Sequence, residues 1–238
     1  MKCGFKKWAI GPLVLTLALC LAAASVSAQK SSKRMDDAAR HASRAARVFD
    51  EIMSVREQRI PKNLLDRAEA IAVFPGVVKA AFIVGGRGGQ GVISRRVKGG
   101  WSAPAFFHIG GGSIGLQVGA QKTDYVMLIM NEDGLKGLME DKFELGGEAS
   151  VAAGPVGREA AASTNMTLDA GILSYSRSKG LFAGVALKGA VINPDNDLNE
   201  AVYEGKKASA VLEQERDVNT MPADVRVFPV TLNRYSRR

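Results

Sequence analysis

Ile71-Ala72-Val73-Phe74-Pro75-Gly76 opens, Gly85-Gly86-Arg87-Gly88-Gly89-Gln90-Gly91 continues and Ser174-Tyr175-Ser176-Arg177-Ser178-Lys179-Gly180-Leu181-Phe182-Ala183-Gly184 nearly closes a stretch, residues 71–193, in which apolar runs are punctuated by glycine. Of the 26 glycines in the 238-residue chain, 22 lie between Gly85 and Gly189, where they mark strand bends or close backbone approaches. Ile114, Leu116, Val118 and Ala120 alternate with Gly115, Gln117, Gly119 and Gln121. Leu181, Ala183, Val185 and Leu187 alternate in the same way with Phe182, Gly184, Ala186 and Lys188. A period of two is that of a half-buried strand. One face of each strand is stripped of bulk, which fits a tightly curved sheet, a helix packed very near, or room for a slender apolar ligand. Residues 77–84 and 125–130 are apolar runs that read as strands covered on both sides.

The covering elements are helical. Residues 33–59 contain neither Gly nor Pro and place Met35, Ala38, Ala42, Ala45, Phe49, Ile52 and Met53 at spacings of three and four, the signature of an amphipathic helix. Ser32 is the expected cap, with Asp36 and Asp37 in the first turns and Pro61 as the stop. Asn63 is expected to cap a short helix over 64–70, and further helices are expected over 135–139 and 208–215. Residues 225–232 alternate and read as an edge strand or a basic terminus. The fold class is therefore α+β: a glycine-rich, mainly antiparallel β body, curved or barrel-like, covered by the N-terminal amphipathic helix and short helices.

Lys2, Lys6 and Lys7 precede an apolar run over 9–24 that ends in Val26-Ser27-Ala28, the order of a secretory signal peptide. The expected organisation is a signal over 1–28, the helix over 29–62 as part of the domain, the β body over 63–205, and a helix with a basic tail over 206–238. Cys20 also suggests a lipoprotein, but Leu19 precedes it where such signals carry Gly, Ala or Ser. Cleavage after Ala28 removes Cys3 and Cys20, leaving no thiol for a disulfide, a nucleophile or zinc. It also reduces 32 basic residues to 29 against 24 acidic ones, from +8 to +5. That excess fits an anionic partner such as a lipid headgroup, or ordinary solubility, and no nucleic-acid partner is expected.

Catalytic patterns fail on context. Gly86-Arg87-Gly88-Gly89-Gln90-Gly91 satisfies the dinucleotide fingerprint but runs into the strand-like Val92-Ile93-Ser94-Arg95-Arg96-Val97 instead of a helix, so a hairpin loop is expected. Gly111-Gly112-Ser113-Ile114-Gly115 matches a nucleophile elbow, yet both histidines, His41 and His108, precede the serine. Ser176 and Lys179 fit a four-residue pattern with no supporting motif. His108 reads as a packed, hydrogen-bonded strand residue. Asp195-Asn196-Asp197 after Asn193-Pro194 reads as a turn and helix cap, lacking the spacing of a calcium loop. No enzyme, cofactor or metal is expected.

Arg40, Arg44 and Arg47 form one stripe beside the apolar face. Such a helix either lies on an anionic membrane, with Phe49 and its neighbours among the headgroups, or docks on the sheet with its arginines in water. Arg87, Arg95, Arg96, Lys98, Arg158, Arg177 and Lys179 lie beside glycine-rich turns or at strand ends, where arginine forks can converge on a phosphate. The alternative is surface solubility or pairing with Glu144, Glu148 and Asp169.

Taken in order, residues 70–96, Gly100-Trp101-Ser102-Ala103-Pro104, Gln117-Val118-Gly119-Ala120-Gln121, residues 143–157 with Arg158, and residues 174–184 resemble the SYLF domain family, over about residues 35–205. Glu148 stands where many members carry Asp, and Asn165 where an acid is frequent. The resemblance implies a non-catalytic lipid-binding domain whose N-terminal helix contributes to membrane contact. Eukaryotic members bind phosphoinositides and some bind actin, neither of which an exported bacterial protein would meet. The expected protein is periplasmic or envelope-associated and binds anionic phospholipid. The alternative is a structural or stress-related envelope protein acting through protein partners.

Overall fold

A computed structural model describes residues 11–55, 57, 59–81, 84–114, 119–147, 149–157, 170–214 and 221–236, with side chains from residue 31 onward apart from 80–85, 113–114 and 119–120. The helix α1, Gly11–Ser54, leads into α2, Lys62–Arg67, and then into the strands β1 (Ala70–Ala81), β2 (Val84–Val97), β3 (Gly100–Trp101), β4 (Ala105–Ile114) and β5 (Gly119–Ile129). After α3, Glu132–Met139, come β6 (Phe143–Glu144), β7 (Val151–Ala153), β8 (Ile172–Ser178), β9 (Leu181–Gly184) and β10 (Val191–Pro194). Three helices finish the described chain: α4 (Asn196–Val202), α5 (Ala208–Glu213) and α6 (Val227–Tyr235).

The strands form one sheet, in the order β6-β10-β4-β2-β1-β5-β8-β7, curled into a half-barrel. Every pairing is antiparallel except β7 with β8. The outer edge of β8 is shared, its first half pairing with β7 and its second half with β9. Residues 70–74 of β1 are all fully buried, because this central strand is covered on both faces. Val73, Val92 and Phe106 are cross-strand partners on one face, and Phe106 stacks there on Tyr203 after α4. Helices α1, α4, α5 and α6 cover that face. The opposite face carries Ala72, Ile93 and Ile129, and α3 packs near Ile129 and Phe143. Each fully buried aromatic, such as Trp101, Phe49 or Phe74, contributes about 2–3 kcal/mol by leaving water.

Several local expectations need correcting. Gly86, Gly88, Gly89 and Gly91 lie inside β2, all paired with β4 and two of them, Gly86 and Gly88, also with β1, and not in a hairpin loop. A Cβ on Gly91 would stand 2.5 Å from the Phe74 ring and 2.3 Å from the Val73 carbonyl oxygen, so the missing side chain is what lets the Phe74 ring lie across the sheet there. The helix expected to start at Ser32 runs through that residue from Gly11. It ends at Ser54, ahead of Pro61, where the Ser54 hydroxyl donates to the Glu51 carbonyl. Asn63 is inside α2, which Pro61 precedes with no side-chain cap, and Ala70 already belongs to β1.

Residues 227–235 are helical where an edge strand was expected. Pro229 sits in the first turn, where its missing N–H has no intrahelical partner to lose. The alternating strand expected over 181–188 is a strand only as far as β9, Leu181–Gly184, and the one expected over 114–121 straddles the end of β4 and the start of β5, with residues 115–118 outside the described residues. The expected signal over 1–28 lies outside them as far as residue 10, and over 11–28 only its helical backbone is described.

Candidate functional site: the basic surfaces

Helix α1 docks by its apolar side. Ala38, Ala42, Ala45, Phe49, Ile52 and Met53 are buried, and Arg40, Arg44 and Arg47 face outward because three-to-four-residue spacing puts them on the other side of the cylinder. Phe49, expected as a membrane contact, is 0% exposed and meets the Tyr235 ring edge-on at 5.9 Å. Its place in the core is a correction: in this conformation no bilayer reaches it. Two polar clamps hold the helix down. Asp50 accepts from Arg234 at 2.8 Å and from the Tyr235 hydroxyl at 2.7 Å, and Glu51 accepts from Arg177 at 2.5 Å. Arg40 pairs with Asp37 one turn earlier, whereas Arg44 and Arg47 form no ion pair among the described residues.

Adjacent strand residues point to opposite faces, and this separates Arg95 from Arg96. Arg96 turns to the helical face, donating to the carbonyls of Ala68 and Leu65 at 3.0 and 2.8 Å and to the Ser236 hydroxyl at 2.6 Å. Its guanidinium also lies 4.0 Å from the centroid of the Trp101 ring. Arg96 is thus a brace between α2, β2 and the end of α6. Arg95 faces the other way, 4.0 Å from Glu132 at the start of α3. With Lys98, Gly99, Gly100, Glu69 and Glu213 it lines an open cleft of about 450 Å³ whose two carboxylates offset its cations.

Arg177 is also a brace. Its Nε and Nη2 reach Asp124 at 3.0 and 2.9 Å, and Asp124 in turn accepts from the Gly76 N–H at 2.8 Å. Gly76 has φ +60° within the register shift of β1, a backbone shape that favours glycine. Glu51, Arg177, Asp124 and Gly76 therefore tie the end of α1 to three strands. Lys179 is exposed at the turn after β8, and Arg87 on β2 pairs across to Lys79. Arg158, with Glu148, Asn165 and Asp169, lies outside the described residues. Of the basic residues expected to converge on a phosphate, Arg96 and Arg177 are structural, Arg95 and Lys98 line one cleft, and Lys179 stands at a separate turn.

Sequence reasoning missed the convergence of both histidines. His108 on β4 lies 3.0 Å from Asp195 through Nε2, and Asp195, as expected, caps α4 by accepting from the Leu198 N–H at 3.1 Å. Across a cleft of about 460 Å³ stands His41 of α1, beside Lys33, Arg34 and Asp37. Burial of the imidazole, with Arg44 and Arg40 close by, lowers the His41 pKa against the opposing pull of Asp37 and Asp195. No pattern in the sequence links positions 41, 108 and 195. Among the described residues no His, Cys, Asp and Glu group is placed to hold a metal ion, and no helix is long and apolar enough to cross a membrane. Ser113 lies within β4 and not at a strand-to-helix turn, so the nucleophile-elbow geometry is missing.

Comparison with known proteins agrees with the glycine-rich motifs. The chain is 42% identical over 151 residues to LAS seventeen-binding protein 3 of Saccharomyces cerevisiae, an alignment spanning 62% of this chain and 33% of that one. It is 32% identical over 169 residues to SH3 domain-containing YSC84-like protein 1 of Mus musculus, covering 69% of this chain and 49% of the mouse protein. The chain thus spans a third to a half of the length of these relatives, which are named for binding and for domains, not for a reaction. Residues 110–235, more than half the chain, match the model of a family described as Ysc84, Las17-binding protein actin regulator. This chain belongs to the Ysc84 family, the group to which the SYLF motifs also point.

Proposed function

We propose that this is a non-catalytic, exported protein of the bacterial envelope that binds anionic lipid surfaces. The observation that carries the reading is the outer side of α1, where Arg44 and Arg47 stand exposed and without an ion pair among the described residues, next to Arg40. The apolar side of the helix is committed to the core, so contact through this side is electrostatic. Basic residues near an anionic surface contribute about 1 kcal/mol each, so three of them supply roughly a hundredfold in partitioning. Vesicle sedimentation tests this. Wild-type chain is expected with phosphatidylglycerol vesicles and not with phosphatidylcholine vesicles, and replacing Arg40, Arg44 and Arg47 with Ala should lower recovery about a hundredfold. Equal recovery on both vesicle types, unchanged by the substitutions, would remove the mechanism.

A second reading, a scaffold acting through protein partners, draws on the family description, which names protein binding. Crosslinking in intact cells separates the two, since partner bands insensitive to lipid composition favour the scaffold.

A further inference from the structure

The β8–β9 hairpin ends in an apolar side chain that packs on little else. Ser178 and Leu181 close a two-residue turn in which Lys179 has φ +50° and Gly180 φ +82°. Positive φ at both positions is the turn whose twist matches its flanking strands, so the tip is stiff. Leu181 is 74% exposed, against 39–43% for the other large exposed hydrophobic residues. The tip is also anchored sideways, because the Gln121 side chain of β5 donates to the Ser178 hydroxyl at 2.7 Å.

Three lysines stand at the same end of the sheet as this leucine. Lys79 of β1 pairs across to Gln121, and Val78, 40% exposed, pairs across to Lys122. Strand alternation therefore puts Lys79, Gln121, Ser178 and Leu181 on one face and Val78 with Lys122 on the other. Lys79, Lys122 and Lys179 are exposed and form no ion pair among the described residues. Asp124, two residues from Lys122, is occupied by Arg177 and Gly76.

We propose that this end of the sheet, with Leu181 as its apolar probe and Lys79, Lys122 and Lys179 as its cations, docks onto the headgroup region of an anionic lipid bilayer. A specific protein interface buries about 1,000 Å² or more around an apolar centre, far more than one leucine and one valine provide. A bilayer surface needs less: one side chain among the acyl carbons, with lysine stems crossing the boundary and their ammonium groups at the phosphates. The proposal rests on the lipid-binding reading above and assigns it a second surface, separate from the arginines of α1.

The full chain is tested by flotation with phosphatidylcholine vesicles containing or lacking phosphatidylglycerol. Leu181→Asp is expected to weaken binding to the anionic vesicles about tenfold, and Lys79→Glu with Lys122→Glu by about thirtyfold or more. All three positions are exposed, so an unchanged thermal midpoint checks that each variant is folded. In Leu181→Trp, brominated acyl chains should quench fluorescence beyond that of the unsubstituted chain. If wild-type binding persists and Leu181→Asp binds equally well, the hairpin proposal is overturned while the lipid reading stands. If the wild-type chain floats with neither vesicle, both fall. Loss of a crosslinked protein partner in Leu181→Asp, with flotation unaffected, would assign the tip to a protein and overturn the proposal.

Discussion

Gly154, in the loop after β7, shows how a single residue sets the packing of this sheet. A Cβ there would lie 2.0 Å from the Tyr175 ring, and one on Gly184 would lie 2.1 Å from the Gly154 carbonyl oxygen. The Tyr175 ring stacks on Phe182 at 5.4 Å, and its burial raises the phenol pKa. Gly154→Ala is therefore expected to destabilise the chain by about 3 kcal/mol, read as a lower urea midpoint at constant slope. The glycine clustering was legible in the sequence, but not which ring each glycine admits. Arg177 was legible as a cation at a strand end. Its partners, Glu51 and Asp124, are 126 and 53 positions away, and nothing local in the chain announces them.

Helices α1 and α6 illustrate when periodicity decides an element. In α1 the small and apolar residues recur only at three and four, so helix and buried side follow together. In residues 225–232 both periods fit: Val225, Phe228 and Leu232 recur at three and four and are buried, while Val227 and Val230 remain partly exposed. Docking against α1 selects the helix, and that docking is not written locally. Nearer the start of α1, beside α4, His41 titrates. Its pKa is lowered in the folded chain, so the unfolded chain binds more protons as the pH drops through the ordinary imidazole range near 6.5. Stability should accordingly fall from pH 7.5 to pH 5. His41→Gln should flatten the slope of thermal midpoint against pH relative to wild type, and an unchanged slope would assign it to other groups.

At the scale of the molecule, α6 and the Arg177 network fasten a helix that comes early in the chain to strands made later. Deleting residues 221–238 removes the contacts of Arg234 and Tyr235 with Asp50 and Phe49 of α1. Limited proteolysis should then cut within residues 35–54 roughly tenfold faster than in the full chain, because opening of the helix loses its main restraint. Cleavage at an unchanged rate would show that the sheet alone retains α1. The class of the fold was legible from glycine placement and strand alternation, whereas the strand order rests on pairings between distant segments. The basic surface was only partly legible, since facing direction depends on register: Arg95 and Arg96 are neighbours in sequence and occupy opposite sides.

The two ends of the sheet have one more effect. The strands at its margins, β6, β7 and β9, are two, three and four residues long among the described residues. A neighbouring molecule seeking to extend the ladder finds too few unpaired amides to zip against. A sheet this rich in glycine and alanine would otherwise invite fibrous self-association, and its clipped borders favour discrete particles at high concentration.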